Sequence, residues 1–236
     1  LFQRHARGYA LTEAGQDMLQ VASRVDEMLG ELQGRSLTRS SQVSGKLIVT
    51  AVAGVAPRVM GAIAAFRLAH PTIDLEFRAD DGLARLEYGE AHVAVRTGPK
   101  PTELDYVVRA YQSIRFGLYA SKGYVAREGL PELDNLEGHQ FIAPMRASSA
   151  TPYAGWLAKH VNPAAFAMRC NDYSVRRFAI CHGIGIGFID DQEAQFFDDL
   201  VELMPPGDEI AIDLWVVTHI DLHRSPKIQA FLDFLK

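Results

Sequence analysis

The chain has 236 residues, 48% of them hydrophobic and 22% charged, with 19 Gly and 11 Pro. That is enough apolar mass for one or two packed domains, and it excludes disordered, collagen-like and low-complexity classes. A net charge of -5 argues against nucleic-acid binding by the chain taken as one object, because phosphate contacts need clustered cations.

The charge is unevenly placed. Residues 1–11 hold Arg4, His5 and Arg7 and no acid. Leu1-Phe2-Gln3-Arg4 enters as if in mid-element, and without Met, so further sequence is expected upstream. From Thr12 the pattern is helical. Thr12 can cap the helix, Glu13 suits its positive end, and Gly34 is a natural stop. Ala14, Met18, Val21, Val25, Met28 and Leu32 recur at alternating spacings of four and three, which is a heptad seam. Such a seam predicts burial against a second copy of the helix; an amphipathic helix lying on its own domain is the other reading. The polar run from Ser36 to Ser44 offers nothing to bury and reads as a hinge.

The period then changes. Lys46 to Val52 is a near-continuous apolar strand, Pro57 opens a helix that ends before Pro71, and Ile73, Leu75 and Phe77 alternate as a second strand. Leu47 to Phe66 is too apolar to ignore as a membrane span. Pro57 and Arg58 sit at its centre, however, and an Arg at mid-bilayer costs about 2.5–3.5 kcal/mol. Asp81-Gly82 turns into a short helix ending at Gly89, and Ala91 to Val95 forms a third strand. Two β-α-β units imply a parallel sheet with right-handed crossovers.

A second set opens at Arg115 to Tyr119, with strands at Gln140–Ala143, Phe166–Cys170 and Ile184–Ile189 and helices between them. Leu214 to Thr218 is a last strand, and an apolar helix from Ser225 to Leu235 can return to the first lobe. The fold class expected is α/β with two small lobes, two crossing strands and a cleft.

Gly183, Gly185 and Gly187 follow a helix and enter a strand, the reverse of a dinucleotide loop, so they read as a helix cap with close helix–sheet packing. No phosphate-loop or hydrolase-elbow motif occurs. His219 and His223 are four apart, but a metal needs further ligands and none is nearby. No metal or other cofactor is expected. Cys170 and Cys181 are too few for a disulfide scaffold; they lie among core residues and read as buried inert thiols, an exposed redox pair being the alternative. With no signal-type segment at the start, a cytoplasmic protein is expected. Polar groups gather at strand ends: Asp80-Asp81, Arg96-Thr97, Arg146 with Ser148 and Ser149, Asn171-Asp172, and Asp190-Asp191. Ligands of open α/β sheets collect at such ends.

Leu1-Phe2-Gln3-Arg4, Arg7 to Gly15, Phe66 with His70-Pro71, Gly117 to Ser121, Leu136 with Gly138-His139, Gly183 to Ile186, and Pro226 with Phe231 occur in an order that resembles the LysR-type transcriptional regulators across the whole chain. The resemblance implies an N-terminally truncated regulator: a remnant of a winged helix-turn-helix (1–11), a dimerising linker helix (12–35), a hinge (36–45), and a periplasmic-binding-protein-like effector domain. Its first lobe would span 46–113 plus 220–236 and its second 114–219. In this scheme Arg4 and Arg7 touch DNA, which full-length protein would bind. Ala14, Met18, Val21, Val25, Met28 and Leu32 hold a homodimer or homotetramer. The cleft takes a small polar metabolite through Ala53, Gly54, Val55, Asp80, Arg96, Thr97, Arg146, Ser148, Ser149, Asp172 and Asp190, with Arg96 and Arg146 anchoring an anionic group. Two departures stand out. Asp190 replaces a proline common in the family, and Val52 to Val55 lacks the Ser or Thr that often meets a carboxylate. The alternative is a two-lobed solute-binding protein of the transport type. An enzyme is not expected, nor is any association with a membrane.

Overall fold

The structure is a computed structural model, and it describes residues 1–5, 8–19, 21–22, 25, 43–79, 84–145 and 151–236. The chain divides into two compact units. One comprises Leu1–Arg96, Lys100–Tyr111 and Trp215–Lys236, the other Thr97–Pro99 and Gln112–Leu214.

The first unit opens with an antiparallel hairpin, Phe2–His5 against Gly8–Leu11, with Phe2 opposite Leu11. Residues 13–19 are helical, and the Gly15 amide donates to Thr12 Oγ1 at 3.2 Å, so Thr12 is the cap its position predicts. Of the seam, Met18, Val21 and Val25 are exposed by half or more and Ala14 is also exposed; Met28 and Leu32 lie outside the described residues.

The strand Gly45–Ala51 pairs in parallel with Ile73–Ala79 on one side and Val93–Thr97 on the other. Parallel pairing needs a crossover, which the helix Ala56–Ala69 supplies. Pro57 sits in its first turn, where a missing N–H costs nothing, and the helix stops one residue before His70-Pro71. Its buried face is Val59, Ile63 and Phe66. Phe66 meets Phe231 and Phe234 of the last helix, Pro226–Phe234, edge-on at 5.2 and 5.7 Å, which fixes that helix to the first unit. A short 3-10 turn, Leu86–Tyr88, ends at Gly89 in the left-handed region (φ 73°). Asp81-Gly82 lies outside the described residues.

Two long strands, Tyr106–Ser121 and Leu200–His219, pass from one unit into the other. They are far longer than the Arg115–Tyr119 and Leu214–Thr218 segments expected from sequence. Their outer halves mix polar and apolar positions, and Pro205-Pro206-Gly207 imitates a turn because proline offers no ladder donor. The strand order is Ile73–Ala79, Gly45–Ala51, Val93–Thr97, Leu200–His219, Tyr106–Ser121, Gly187–Asp190.

In the second unit Phe141–Pro144 runs parallel to Phe166–Cys170. The Ile142 amide donates to Ile186 O at 2.7 Å, and Gly187–Asp190 pairs antiparallel with the end of Tyr106–Ser121. Tyr119, Ile142, Ala179, Ile180 and Ile189 form its core. Gly183 (φ 72°) follows the helix Tyr173–Cys181, and a side chain on Gly185 would stand 2.8 Å from Gln140 O. Cys170 and Cys181 are half-buried, not core residues as expected, because each sits at the last position of its element. Among the described residues no helix is long and apolar enough to cross a membrane.

Candidate functional site

The carboxyl ends of the parallel strands carry the polar groups, each unit in its own way. In the first unit Gly45–Ala51 runs into a 3-10 turn, Ala53–Val55, closed by the Val55 amide on Val52 O at 2.9 Å. Val55 is buried, while Ala53 and Gly54 are at least partly open. On the adjacent strand Arg96 is nearly enclosed. Its side chain is 11% exposed and donates through Nη2 to Ala84 O at 3.2 Å. Nη1 lies 3.7 Å from Glu103, and the guanidinium carbon stands 4.9 Å from the centre of the Tyr106 ring.

Tyr106 in turn donates its hydroxyl to Glu87 Oε2 at 2.8 Å and meets the His219 ring edge-on at 6.4 Å. Burial and the Glu87 carboxylate push the Tyr106 hydroxyl pKa up, so it stays a donor throughout the physiological range. His219 ends its strand and caps the turn Ile220–His223, accepting from the Asp221 amide at 3.3 Å; His223 Nδ1 lies 2.9 Å from Thr218 Oγ1. Of this group, sequence reasoning singled out Arg96 alone; Glu87, Glu103 and Tyr106 are scattered over 20 positions. An anion reaching Arg96 would compete with Glu103, whose side chain is 54% exposed and free to swing out.

In the second unit the same edge is built from Cys170, the last residue of Phe166–Cys170, and the helix Tyr173–Cys181 that follows. Asp172 caps that helix, accepting from the Val175 amide at 2.8 Å. Asp190, only 2% exposed, caps Asp191–Ala194 by accepting from Gln192 and Glu193 amides at 2.8 and 3.2 Å. Its own amide donates to Tyr173 Oη at 2.8 Å, which ties the start of one helix to the end of the strand Gly187–Asp190. A proline at this position would have no N–H to donate, so this bond needs a residue such as Asp.

Beside them Arg177 pairs with Glu193 at 2.5 Å, both largely buried. Burial, with the Glu193 charge adding to it, pushes the Tyr173 hydroxyl pKa well above its ordinary value. Arg176 is 5% exposed and donates to Cys170 O at 2.6 Å and to Tyr153 Oη at 3.0 Å. Arg176 was missed because Arg176-Arg177 looks like solvated surface. The signal was there: 176, 179 and 180 share one helical stripe, and Ala179 and Ile180 are core residues.

Of the other residues expected at a site, Thr97 groups with the second unit, while Asp80, Arg146, Ser148 and Ser149 lie outside the described residues. So does Arg7; Arg4 lies on the first strand, opposite Tyr9. Among the described residues no three His, Cys, Asp or Glu side chains gather in a way that could hold a metal.

Comparison with known proteins places this architecture. Residues 40–236 match the LysR substrate binding domain. The uncharacterized HTH-type transcriptional regulator YhjC of Escherichia coli K12 is 28% identical over 144 residues, 60% of this chain and 48% of that protein, so the match spans about half its length. A Klebsiella pneumoniae protein named probable HTH-type transcriptional regulator LtrA is 24% identical over 249 residues, covering the whole chain and 79% of LtrA. Among solved structures, CrgA of Neisseria meningitidis, a LysR-type transcriptional regulator, superimposes with a TM-score of 0.69 at 23% identity, over the whole chain and 82% of CrgA. Full-length AphB, the virulence activator of Vibrio cholerae, gives 0.66 at 23% identity with the same coverage.

Proposed function

Because the chain belongs to the LysR family of transcriptional regulators, we propose that it is the sensing and dimerising part of a DNA-binding regulator controlled by a small polar metabolite. The observation that carries this reading is the match of residues 40–236 to the family's substrate binding domain, preceded by a hairpin and a helical segment with an exposed apolar seam. The relatives are named as transcriptional regulators, so a transport-type solute-binding role has no support beside it.

In this reading the effector engages the strand ends: Ala53, Gly54, Val55, Asp80, Arg96, Thr97, Arg146, Ser148, Ser149, Asp172 and Asp190. Arg96 is the natural anchor in the first unit, since a guanidinium stacked on Tyr106 presents a prealigned fork to a carboxylate or phosphate. The metabolite biases DNA binding only by its different affinity for two arrangements of the protein. A homodimer or homotetramer formed through Ala14, Met18, Val21, Val25, Met28 and Leu32 carries that bias to paired half-sites. Arg4 and Arg7 lie beside the DNA backbone, which supports position but not base reading. The implied compartment is the cytoplasm, where DNA and metabolite meet.

The test selects genomic DNA fragments with the full-length gene product and measures their binding while metabolites that raise the melting temperature of this chain are added. A several-fold change in DNA affinity at saturating metabolite is expected, together with its loss in R96A. DNA binding that no stabilising metabolite alters sinks the reading.

A further inference from the structure

The second unit holds a buried cation whose charge nothing described in the protein neutralises, and we infer that Arg176 anchors an oxyanion, a carboxylate, phosphate or sulfate group carried by the effector. The inference rests on the sensing reading above and adds to it an anionic subsite within the second unit.

Arg176 is 5% exposed. Its neighbour Arg177 is also largely buried but has Glu193 at 2.5 Å, whereas no carboxylate lies within ion-pair distance of Arg176 among the described residues. The partners Arg176 does have are neutral: the Cys170 carbonyl, the Tyr153 hydroxyl, and the Tyr173 ring, 5.8 Å from the guanidinium carbon. A guanidinium carries five N–H donors, and these two bonds use two, so three remain. The nearest acids in sequence are engaged elsewhere. Asp172 accepts from Val175 N, and Asp190 from Gln192 N and Glu193 N. Removing a cation from water without an opposite charge is costly, and buried charges are as a rule paired.

The place fits as well as the charge. Cys170 is the carboxyl-terminal residue of a strand in a parallel pair, and its carbonyl also accepts from Met145 N at 3.3 Å, just past the end of the other strand. Tyr153 begins the helix that follows that second strand. The guanidinium is therefore braced at the carboxyl edge of two parallel strands, where ligands of α/β sheets bind. Its braces are rigid. Tyr153 is 3% exposed and stacks on Phe188 at 5.3 Å with a 20° tilt. A fork held in this way loses little freedom when it takes up an oxyanion in two parallel bonds.

The test follows thermal unfolding of the 236-residue chain at constant ionic strength, using succinate, benzoate, inorganic phosphate and sulfate, with ribose and putrescine as neutral and cationic probes. Carboxylate and phosphate arms distinguish which oxyanion is preferred. Saturable stabilisation by at least one oxyanion is expected in the wild type, with apparent affinity falling about tenfold or more in R176Q, the usual loss for a charge-assisted hydrogen bond. R176K, which keeps the charge and loses the fork, should fall between them. It carries the comparison if R176Q does not fold. Oxyanion stabilisation that survives in R176Q and R176K overturns the proposal, as does stabilisation by ribose or putrescine alone or by none of the probes. A merely structural Arg176 would lower stability equally with and without the anions. The sensing reading is judged separately, by the response of DNA binding in the full-length protein.

Discussion

The Ile48 amide donates to Nδ1 of His92 at 2.8 Å, so a side chain completes the backbone ladder of the first unit's parallel sheet. The His92 amide returns the favour to Ile48 O at 2.9 Å. Both residues are buried, at 1% and 5% exposure, and Val93, the next residue, begins the strand that pairs with Gly45–Ala51. The imidazole therefore serves as an acceptor: it satisfies an N–H that has no water to turn to.

Replacing His92 with Leu keeps bulk and removes the acceptor. The orphaned amide should cost about 1–3 kcal/mol, read as a lower urea midpoint. Asn at this position offers Oδ1 at the same distance along the side chain as Nδ1, so H92N should retain most of the stability and the slow hydrogen exchange of the Ile48 amide. Equal loss in the two variants would mean that packing, not the hydrogen bond, is what His92 contributes.

How much of this was legible in the sequence depends on the range of the interaction. Pro57, Pro71 and Gly89 mark helix limits through local backbone chemistry, and the helix and turn end where they say. The Gly183-x-Gly-x-Gly run was readable as close packing because only glycine lets a chain pass a helix and a neighbouring strand at this distance; at Gly187 a side chain would stand 2.6 Å from Ile180 Cδ1. The His92 acceptor and the Arg96–Tyr106–Glu87 chain were not legible, since each joins residues from separate elements with no local signature. The same holds for the acids Asp172 and Asp190. Their capping bonds could not be read in advance, since an acid at a strand end can meet a ligand, cap the next helix, or do both.

A pH-dependent term comes from Glu76 in the strand Ile73–Ala79. Hydrogen bonds from Lys46 and Arg78, at 2.6 and 2.5 Å, hold its carboxyl down at about 2. A lowered folded-state value means that its stabilisation is complete above the unfolded carboxyl range and is lost as pH falls through about 2. The stability gap between wild type and E76Q should therefore be flat above about pH 5 and close steadily below about pH 4.5. The three side chains are substantially exposed, so about 0.5 M salt should shrink the gap at neutral pH. A gap that widens on acidification would exclude this assignment.

The Arg177–Glu193 pair should behave asymmetrically. The two side chains are 15% and 6% exposed, and Arg177 Nε and Glu193 Oε2 find no hydrogen-bond partner among the described residues. The pair thus gives up water without recovering every bond it had there, and its two members differ in what they can do alone. Arg177 lies over the Phe178 and Phe197 rings at 5.2 and 5.6 Å and, with a long side chain, can turn its head towards solvent when Glu193 is removed. Glu193 is short and nearly enclosed, so without Arg177 its carboxylate loses its ion-pair partner and cannot reach solvent in exchange. R177M should accordingly cost about 3–5 kcal/mol and E193M clearly less, while R177M/E193M recovers most of the loss because no buried charge remains. Urea unfolding of the three variants gives the cycle. If R177M is the milder single change, or if the double variant is as unstable as the sum of the singles, the two side chains are not coupled in the way their geometry requires.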